Sequence, residues 1–499
     1  MPSRAGFSVG VRAALLACAL AAGSGASAAD HLRLGTLDFS GCDIGPPHGR
    51  GVPTMAALCA QFSVPEDWDS PGGRHITLHL ALVRAQGSEA QPDPVVFLDG
   101  GPGGAATEDY PAIAAALAPL RKRHSVLLVD QRGTGGSGPL ACGDELQLDA
   151  DATHAPAQQL QRIRRCVAAL APHTAPQFYT TSEAVQDLEA VRQAIGAPSV
   201  NLLGISYGTR VAQQYAARYP QAVRSMVLDS AVPNRLVLLS EHAGNLEDAL
   251  RQRLARCQQE PACKARYGDS YARLREVQER LRHHAQTVEL HDPYGFAVVH
   301  KSFGPDELVA LLRFYLYSAT TSALLPYVID EAWAGRYGPL LAQAQLVVDD
   351  VSEHISGGMS ASVLCAEDAD LLHEQPADSQ TLMGAGPVRS ALLACQAWPR
   401  GRRPANFHEP LQTTIPVLVL AGEFDPVTPP RYGQEIVAGL PNARLLLARG
   451  QGHAVIGAGC MPRLVARFVD QRDPAGLDDA CLRTLGETAP FLDVNGSAP

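Results

Sequence analysis

The residues of this chain best suited to covalent chemistry lie in the stretch Gly204-Ile205-Ser206-Tyr207-Gly208. It follows the apolar run 200–203 and precedes a helix-forming segment, 209–219. Glycines on both sides of the serine allow a sharp turn without a Cβ clash, so the hydroxyl can project from the end of a strand. The five-residue pattern alone is weakly specific, but its position between strand and helix predicts that Ser206 is a nucleophile.

A serine hydroxyl needs a histidine to accept its proton and a carboxylate to hold that histidine in the correct tautomer. Two apolar runs follow Ser206 much later in the chain, and each ends in a loop shaped by Gly or Pro. The first loop contains Asp425 and the second contains His453. Their order along the chain, serine then acid then histidine, favours Asp425 as the acid and His453 as the base.

Two other carboxylates compete for the role of the acid. Asp229 follows the apolar run 223–228, and Glu423 lies in the same loop as Asp425. Glu423 is the weaker alternative, because its place in the loop favours support of the loop over contact with His453.

Acyl transfer also requires N–H donors aimed at the negative oxygen of the tetrahedral intermediate. One donor is expected to be the amide of Tyr207, directly after the nucleophile. The second is expected from the glycine-rich loop 100–104, Gly-Gly-Pro-Gly-Gly, and we assign it to Gly101. The loop lacks the Lys-Ser/Thr that would follow in a phosphate-binding loop of the Walker type.

These residues all follow segments that resemble buried strands. Alternating or continuous apolar residues predict strands near 76–82, 94–98, 125–129, 200–203, 223–228, 416–420 and 443–447. Between them, Glu183 to Ile195 has a helical pattern that Ser182 can cap and Gly196 can end. Strands alternating with helices predict an α/β fold with a mostly parallel sheet covered on both faces. Ligands bind such sheets at the carboxyl ends of the strands, where the candidate groups lie.

The segment between the strands near 228 and 416 differs in character. Residues 246–284 are helical and rich in charge, and 306–317 and 324–333 also have helical patterns. We predict a signal peptide at 1–28, a first core part at 29–235, a largely helical cap insertion at 236–405, a second core part at 406–485 and a frayed tail at 486–499.

The N-terminus has the features of a cleavable export signal. Arg4 and Arg12 precede a short apolar stretch, and Ala26-Ser27-Ala28 fits a cleavage site. A lipoprotein signal ending at Cys18 is the less favoured alternative. We therefore expect a secreted or periplasmic protein without a transmembrane segment. The net charge of −10 and the lack of a long basic cluster argue against nucleic acid as a partner.

Ten cysteines follow the predicted signal, an even number that suggests disulfides in an exported chain. Local pairs are the simplest interpretation, although the sequence leaves other connectivities open. These pairs would be 42–59, 142–166, 257–263, 365–395 and 460–481.

Together these features resemble the α/β-hydrolase peptidases of the prolyl aminopeptidase family. The resemblance rests on the glycine-rich loop 100–104, on Asp-Gln-Arg-Gly-Thr-Gly-Gly-Ser at 130–137, on the serine turn, and on Asp425 and His453. Asp99 departs from the family, in which a histidine often precedes the glycine-rich loop. The segment 395–399, Cys-Gln-Ala-Trp-Pro, and the late cysteine pair make the chain most similar to the exported tripeptidyl aminopeptidases, with a TAP-like C-terminal region.

The resemblance implies a serine exopeptidase that removes short units, either tripeptides or a single residue such as proline, from free peptide N-termini. It implies no metal and no organic cofactor. Such an enzyme needs an anion for the substrate's α-ammonium, and Glu367 and Asp368 are the candidates. A carboxylesterase with the same triad is the main alternative, and a binding protein on a hydrolase scaffold is another. The number of residues released and the oligomeric state are left open.

Overall fold

The computed structural model of this chain describes residues 31–46, 54–141, 156–291, 297–341 and 355–497. The predicted signal peptide at 1–28 and Cys142 lie outside these residues.

A sheet of ten strands forms the centre of the molecule, and a separate hairpin forms a second, two-stranded sheet. The strands are β1 His31–Leu34, β2 Leu37–Ile44, β3 Met55–Pro65, β4 His75–Val83, β5 Val95–Leu98, β6 Val126–Val129, β7 Val200–Ile205, β8 Val223–Asp229, β9 Gln286–His291, β10 Val298–Phe303, β11 Val417–Gly422 and β12 Ala443–Ala448. The order in the large sheet is β1-β2-β3-β4-β6-β5-β7-β8-β11-β12, and β9 pairs with β10.

The strands that carry the candidate groups pair in parallel, as the sequence predicts. β6, β5, β7, β8, β11 and β12 are parallel neighbours, whereas β1 to β4 and the β4–β6 pair are antiparallel. Ile205 pairs with Asp229, and Asp229 pairs with Leu420, so β7 and β8 end at the same level and β11 continues just beyond it to Gly422. The residues that follow these three strands therefore meet at one edge of the sheet.

Helices cover both faces of the sheet. They are α1 Ala106–Ile113, α2 Ala118–Arg121, α3 Pro156–Leu170, α4 Thr181–Ala194, α5 Tyr207–Arg218, α6 His242–Gln259, α7 Pro261–Tyr267, α8 Ser270–His283, α9 Pro305–Tyr315, α10 Ala319–Ala323, α11 Leu325–Trp333, α12 Gly357–Glu367, α13 Gly386–Ala394, α14 Pro430–Ala438 and α15 Met461–Gln471. Apolar residues of α4, α5 and α14 pack in the core on one face, and those of α1, α2 and α15 on the other. β5, β6, β7 and β11 are fully buried between these layers, which explains their continuous apolar runs.

Helix α4 differs from its predicted start. It begins at Thr181, and the side chain of Thr180 accepts a hydrogen bond from the Glu183 amide, so Thr180 is the N-cap in place of Ser182. Both residues have the short hydroxyl side chain that favours this position, and the sequence alone ranks them equally.

The predicted cap corresponds to α6 to α13, which lie between β8 and β11 together with the β9–β10 hairpin. Much of this cap has its own apolar core, which includes Leu250, Leu312 and Ile329. The predicted helical stretch 246–284 is divided into three helices. Pro261 occupies the first turn of α7, and Asp269 caps α8 by accepting a hydrogen bond from the Ala272 amide.

Four of the five predicted disulfides are present, and the fifth involves Cys142, outside the described residues. The four are Cys42–Cys59, Cys257–Cys263, Cys365–Cys395 and Cys460–Cys481. In the described part of the chain, every helix is too short or too polar to span a lipid bilayer.

The sequence predicts a frayed tail at 486–499, whereas the structure places Glu487 and Phe491 against the cap and leaves Val494 exposed. Glu487 forms ion pairs with Arg253 at 3.2 Å and Arg256 at 2.8 Å. The Phe491 amide donates a hydrogen bond to Ala323 O at 3.0 Å. These contacts are with residues more than 150 positions earlier, so local composition gave no sign of them.

Candidate active site

Ser206 lies on a strained turn between β7 and α5. Its backbone has φ 54° and ψ −122°, in a region that non-glycine residues rarely occupy and that costs about 1–3 kcal/mol. The turn is tight because Gly204 and Gly208 approach each other so closely that a Cβ on Gly204 would clash with Gly208 O. The strain projects the serine from the sheet edge, as the sequence predicts for a nucleophile.

Replacing Gly208 by alanine is expected to damage both stability and activity. A Cβ on Gly208 would overlap Leu98 O, at the end of β5 and just before the glycine-rich loop. Because the obstacle is backbone, we expect a loss of about 1–3 kcal/mol in the free energy of unfolding and a lower kcat. Gly244→Ala in α6 is the control, since nothing lies within 4 Å of its added Cβ. Thermal unfolding of both variants measures the effect, and equal melting temperatures would contradict it.

Asp425 and His453 form a hydrogen-bonded pair. His453 Nδ1 lies 2.8 Å from Asp425 Oδ2, and the aspartate side chain is buried. The amides of Val427 and Thr428 donate to Asp425 Oδ1 at 2.9 and 2.8 Å, and Thr428 Oγ1 donates to Oδ2 at 2.8 Å. Burial by itself would raise the pKa of Asp425, but His453 and these donors lower it below its ordinary value. The pair therefore holds an ionised carboxylate against the imidazole.

Close backbone packing positions the two loops that carry this pair. A Cβ on Gly422 would overlap Gly452 O, so the loops approach more closely than side chains would permit. The carboxylate of Glu423 accepts a hydrogen bond from the Gly450 amide at 2.9 Å and from Arg256 at 3.0 Å. Glu423 thus joins the two loops, which is the supporting role that its sequence position favours.

The end of β8 ties the histidine loop to the nucleophile. Asp229 O accepts the Ser206 amide at 2.9 Å, and the Asp229 carboxylate accepts the amides of Val455 and Ile456 at 3.0 and 2.8 Å. Ser230 Oγ accepts the Ala454 amide at 2.8 Å. Burial raises the pKa of Asp229 to about 6. The carboxylate of Asp229 is therefore engaged with backbone, and Asp425 is the one that binds His453 Nδ1.

Asp229 and Ser230 thus hold both Ser206 and His453 at one edge of the sheet. In the part of the chain that the structure describes, Ser206 Oγ makes no hydrogen bond with the His453 imidazole. Such bonds are often long before substrate binds and shorten in the Michaelis complex. The structure therefore contains the His453–Asp425 hydrogen bond of the predicted triad, and the Ser206–His453 bond stays a prediction.

The glycine-rich loop lies beside the serine, as the predicted oxyanion hole requires. A Cβ on Gly100 would be 3.3 Å from Ser206 Cβ, and Gly101 has φ 109°, which favours glycine. The cap braces this loop from outside, since the Ser356 amide donates to Gly103 O at 2.9 Å and Ser360 Oγ donates to Pro102 O. Tyr207 begins α5, so its amide is free of helical hydrogen bonding and available as the other predicted donor.

Glu367 and Asp368, predicted to bind the substrate's ammonium, are completely buried and already have partners. Thr181 donates to Glu367 from its amide at 2.6 Å and from its hydroxyl at 2.9 Å. Arg210, on α5, donates to Asp368 at 2.8 Å and lies 3.9 Å from Glu367. In contrast to the prediction, the two carboxylates face an internal cation, Arg210, and not solvent.

A buried chain of hydrogen bonds extends from Glu367 to the residue after the nucleophile. The hydroxyls of Thr181 and Tyr207 lie 2.7 Å apart, and Gln131 Nε2 donates to the Tyr207 hydroxyl at 3.2 Å. Sequence reasoning missed Thr181 and Arg210, because neither lies in a motif and their partners are more than 150 residues away. This network gives the Cys365-to-Asp368 segment a role in holding the start of α5.

The Asp-Gln-Arg-Gly segment also supports the fold around the site. Arg132 is fully buried and donates to Asp187 Oδ1 and Oδ2 at 2.6 and 2.7 Å, and to the carbonyls of Pro65, Glu66 and Phe178. It thus joins β3, α4 and the loop before α4.

The pH dependence of stability is expected to report on Glu367. Burial raises the pKa of Glu367 from 4.5 to about 8, with Arg210 and Thr181 opposing the shift. Because the folded state favours the protonated form, the stabilisation is complete below about pH 4.5 and is lost as the pH rises through 8.

Melting temperatures of the wild type and Glu367→Gln between pH 5 and 9 measure this effect. The wild type should lose stability relative to the variant as the pH rises. Glu279→Gln, at an exposed glutamate of α8, should instead parallel the wild type. Parallel curves for Glu367→Gln would show that Glu367 keeps an ordinary pKa in the fold.

Comparison with known proteins gives two matching families over separate parts of the chain. Residues 93–321 match the family described as alpha/beta hydrolase fold, and residues 381–481 match the family described as TAP-like protein. The boundary between these matches falls within the cap.

Curated relatives match most of the chain at modest identity. Serine protease Hip1 of Mycobacterium tuberculosis is 26% identical over 83% of this chain and 85% of its own length. Tripeptidyl aminopeptidase of Streptomyces lividans is 26% identical over 80% of this chain and 78% of its own. Carboxylesterase B of Mycobacterium tuberculosis is 31% identical, over 42% of this chain and 43% of its own.

Proposed function

We propose that this chain, which belongs to the α/β-hydrolase peptidases with a TAP-like C-terminal region, is an exported exopeptidase. The chain is a serine peptidase of the α/β-hydrolase class. The proposal adds that it removes short units, with tripeptides favoured, from peptides with a free N-terminus. Similarity to the tripeptidyl aminopeptidase of Streptomyces lividans supports tripeptide release, and the four disulfides support export.

In the proposed reaction, Ser206 Oγ attacks the scissile carbonyl carbon while His453 Nε2 accepts the serine proton. Asp425 holds Nδ1–H and stabilises the charged imidazolium. The amides of Gly101 and Tyr207 donate to the oxyanion. His453 then protonates the leaving amine, the C–N bond breaks, and an acyl-enzyme remains. Water, deprotonated by His453, releases the N-terminal product and restores Ser206.

The observation that carries this proposal is the His453–Asp425 pair, fixed by Asp229 and Ser230 to the same sheet edge as Ser206. An ionised, buried carboxylate on Nδ1 leaves Nε2 as the nitrogen available to the serine. A His–Asp pair with only a structural role would require neither a strained serine at the same sheet edge nor a glycine-rich loop beside that serine.

A panel of substrates tests the proposal. Alanine peptides of three to six residues, with free and with acetylated N-termini, are incubated with the mature chain and the products are identified by mass. We expect free peptides to lose tripeptides and acetylated peptides to resist cleavage. Cleavage of both kinds at equal rates would contradict the exopeptidase assignment, and a different product mass would correct the unit released.

The carboxylesterase alternative has one observation in its favour, the partial similarity to Carboxylesterase B. Simple acyl esters added to the same panel separate the two functions. Fast hydrolysis of esters with no cleavage of any free peptide would establish the esterase.

A further inference from the structure

Arg313 is a cation near the catalytic histidine without a carboxylate partner among the described residues. It lies in α9, and its Nε is buried with no hydrogen-bond acceptor. Arg253 and Arg273, also in the cap, are instead paired with Glu487 and Asp330. Arg313 is half-buried, and leaving its buried Nε–H without an acceptor is costly, so the position favours a ligand that brings an anion.

Arg313 is linked to His453 through Tyr317. Its guanidinium carbon lies 5.9 Å from the centre of the Tyr317 ring, and that ring lies 4.9 Å from the centre of the His453 imidazole. The carbonyl of Tyr317 also accepts the His453 amide at 3.0 Å. Tyr317, just after the end of α9, therefore packs directly on the base, and Arg313 lies on the histidine side of the site.

The two sides of the site would contact different parts of a substrate. The glycine-rich loop lies on the side of the site that would hold the oxyanion, and residues 355–356 contact this loop. His453 gives its proton to the leaving amine, so groups packed around His453 lie by the leaving portion. Arg313 belongs to the second group, through its contact with Tyr317.

We propose that Arg313 forms a carboxylate-binding subsite for the leaving portion of the peptide. This inference rests on the proposed function, because it specifies which peptides that function prefers. The ligand is either the C-terminal carboxylate of a short peptide or an acidic side chain next to the cleaved bond. A guanidinium–carboxylate contact should favour such substrates by about 10- to 100-fold in kcat/KM.

The test uses alanine peptides of two to five residues, each as the free acid and as the C-terminal amide. A third series of amides carries Asp at the first leaving position. We expect the free acids or the Asp amides to exceed the plain amides in kcat/KM, and the better series identifies the source of the carboxylate. In Arg313→Gln the ratio of kcat/KM between the better series and the plain amides should fall to near one. Arg313→Lys should keep part of this preference. Arg282→Gln, on the exposed face of α8, should keep the wild-type preference.

Equal kcat/KM for all three series in the wild type would overturn the inference and leave the proposed function intact. A wild-type preference that persists in Arg313→Gln would overturn the assignment to Arg313. Cleavage of none of the peptides would overturn the proposed function, and the inference with it. The wild-type comparison needs no variant, so it decides even if a substitution impairs folding.

Discussion

Replacing Ser206 by alanine is expected to reduce kcat by about 10⁵- to 10⁶-fold while the fold remains intact. The alanine removes the attacking oxygen, so the acyl-enzyme cannot form and only binding and the oxyanion donors remain. The φ of 54° is unfavourable for alanine as well as for serine, so stability should change little. Initial rates on the preferred peptide, together with a thermal unfolding curve, measure the two quantities.

A Ser206→Ala variant that keeps a tenth or more of the wild-type kcat would contradict the nucleophile assignment. A variant that is inactive but also unfolded would not support it either, so the unfolding curve is part of the result. The variant is best purified from cells that lack the wild-type gene, because trace wild-type enzyme would imitate residual activity.

Replacing Asp425 by asparagine is expected to reduce kcat by about 10⁴-fold. Asparagine has nearly the same shape, but its neutral amide neither stabilises the imidazolium nor holds the proton on His453 Nδ1. The tautomer with the proton on Nε2 cannot accept the serine proton. The loop should persist, because the remaining carbonyl oxygen can still accept from the Val427 and Thr428 amides. Single-turnover rates across pH 6 to 9 measure the effect.

Asp229→Asn is the matched control for Asp425→Asn, because both carboxylates are buried and both lie near the carboxyl ends of neighbouring parallel strands, β8 and β11. Asp229 accepts two backbone amides and no imidazole, so its asparagine variant should lose at most about 10- to 100-fold through a displaced histidine loop. The reverse order, with Asp229→Asn the more damaging to kcat, would make Asp229 the functional acid.

The positions of the candidate site residues were largely predictable, because each lies in a short local sequence pattern. Ser206 lies between two glycines that the turn requires, and Asp425 and His453 each follow a continuous apolar strand. Parallel strands bring their carboxyl ends together whatever the intervening length, so three distant residues could be assigned to one edge. The disulfide pairs could be inferred for a similar reason, since short separations make local bridges the simplest choice.

The supporting contacts could not be predicted, because they join residues with no local signature. The sequence predicts that Glu367 binds the substrate's ammonium, and only the position of Arg210 on the neighbouring α5 explains its burial. The antiparallel strands β1 to β3 were missed, since their short apolar runs are interrupted by polar residues. Arg313 has an ordinary helical context, and its importance depends on packing between α9 and the histidine loop.

The most direct test of the triad is the location of a covalent adduct. The mature wild-type chain is treated with a fluorophosphonate and digested, and the modified residue is identified by tandem mass spectrometry. We predict a single adduct on Ser206, formed much more slowly in His453→Gln because the hydroxyl then lacks its base. An adduct on another serine, or no adduct in a preparation that cleaves peptides, would contradict the assignment of Ser206, His453 and Asp425.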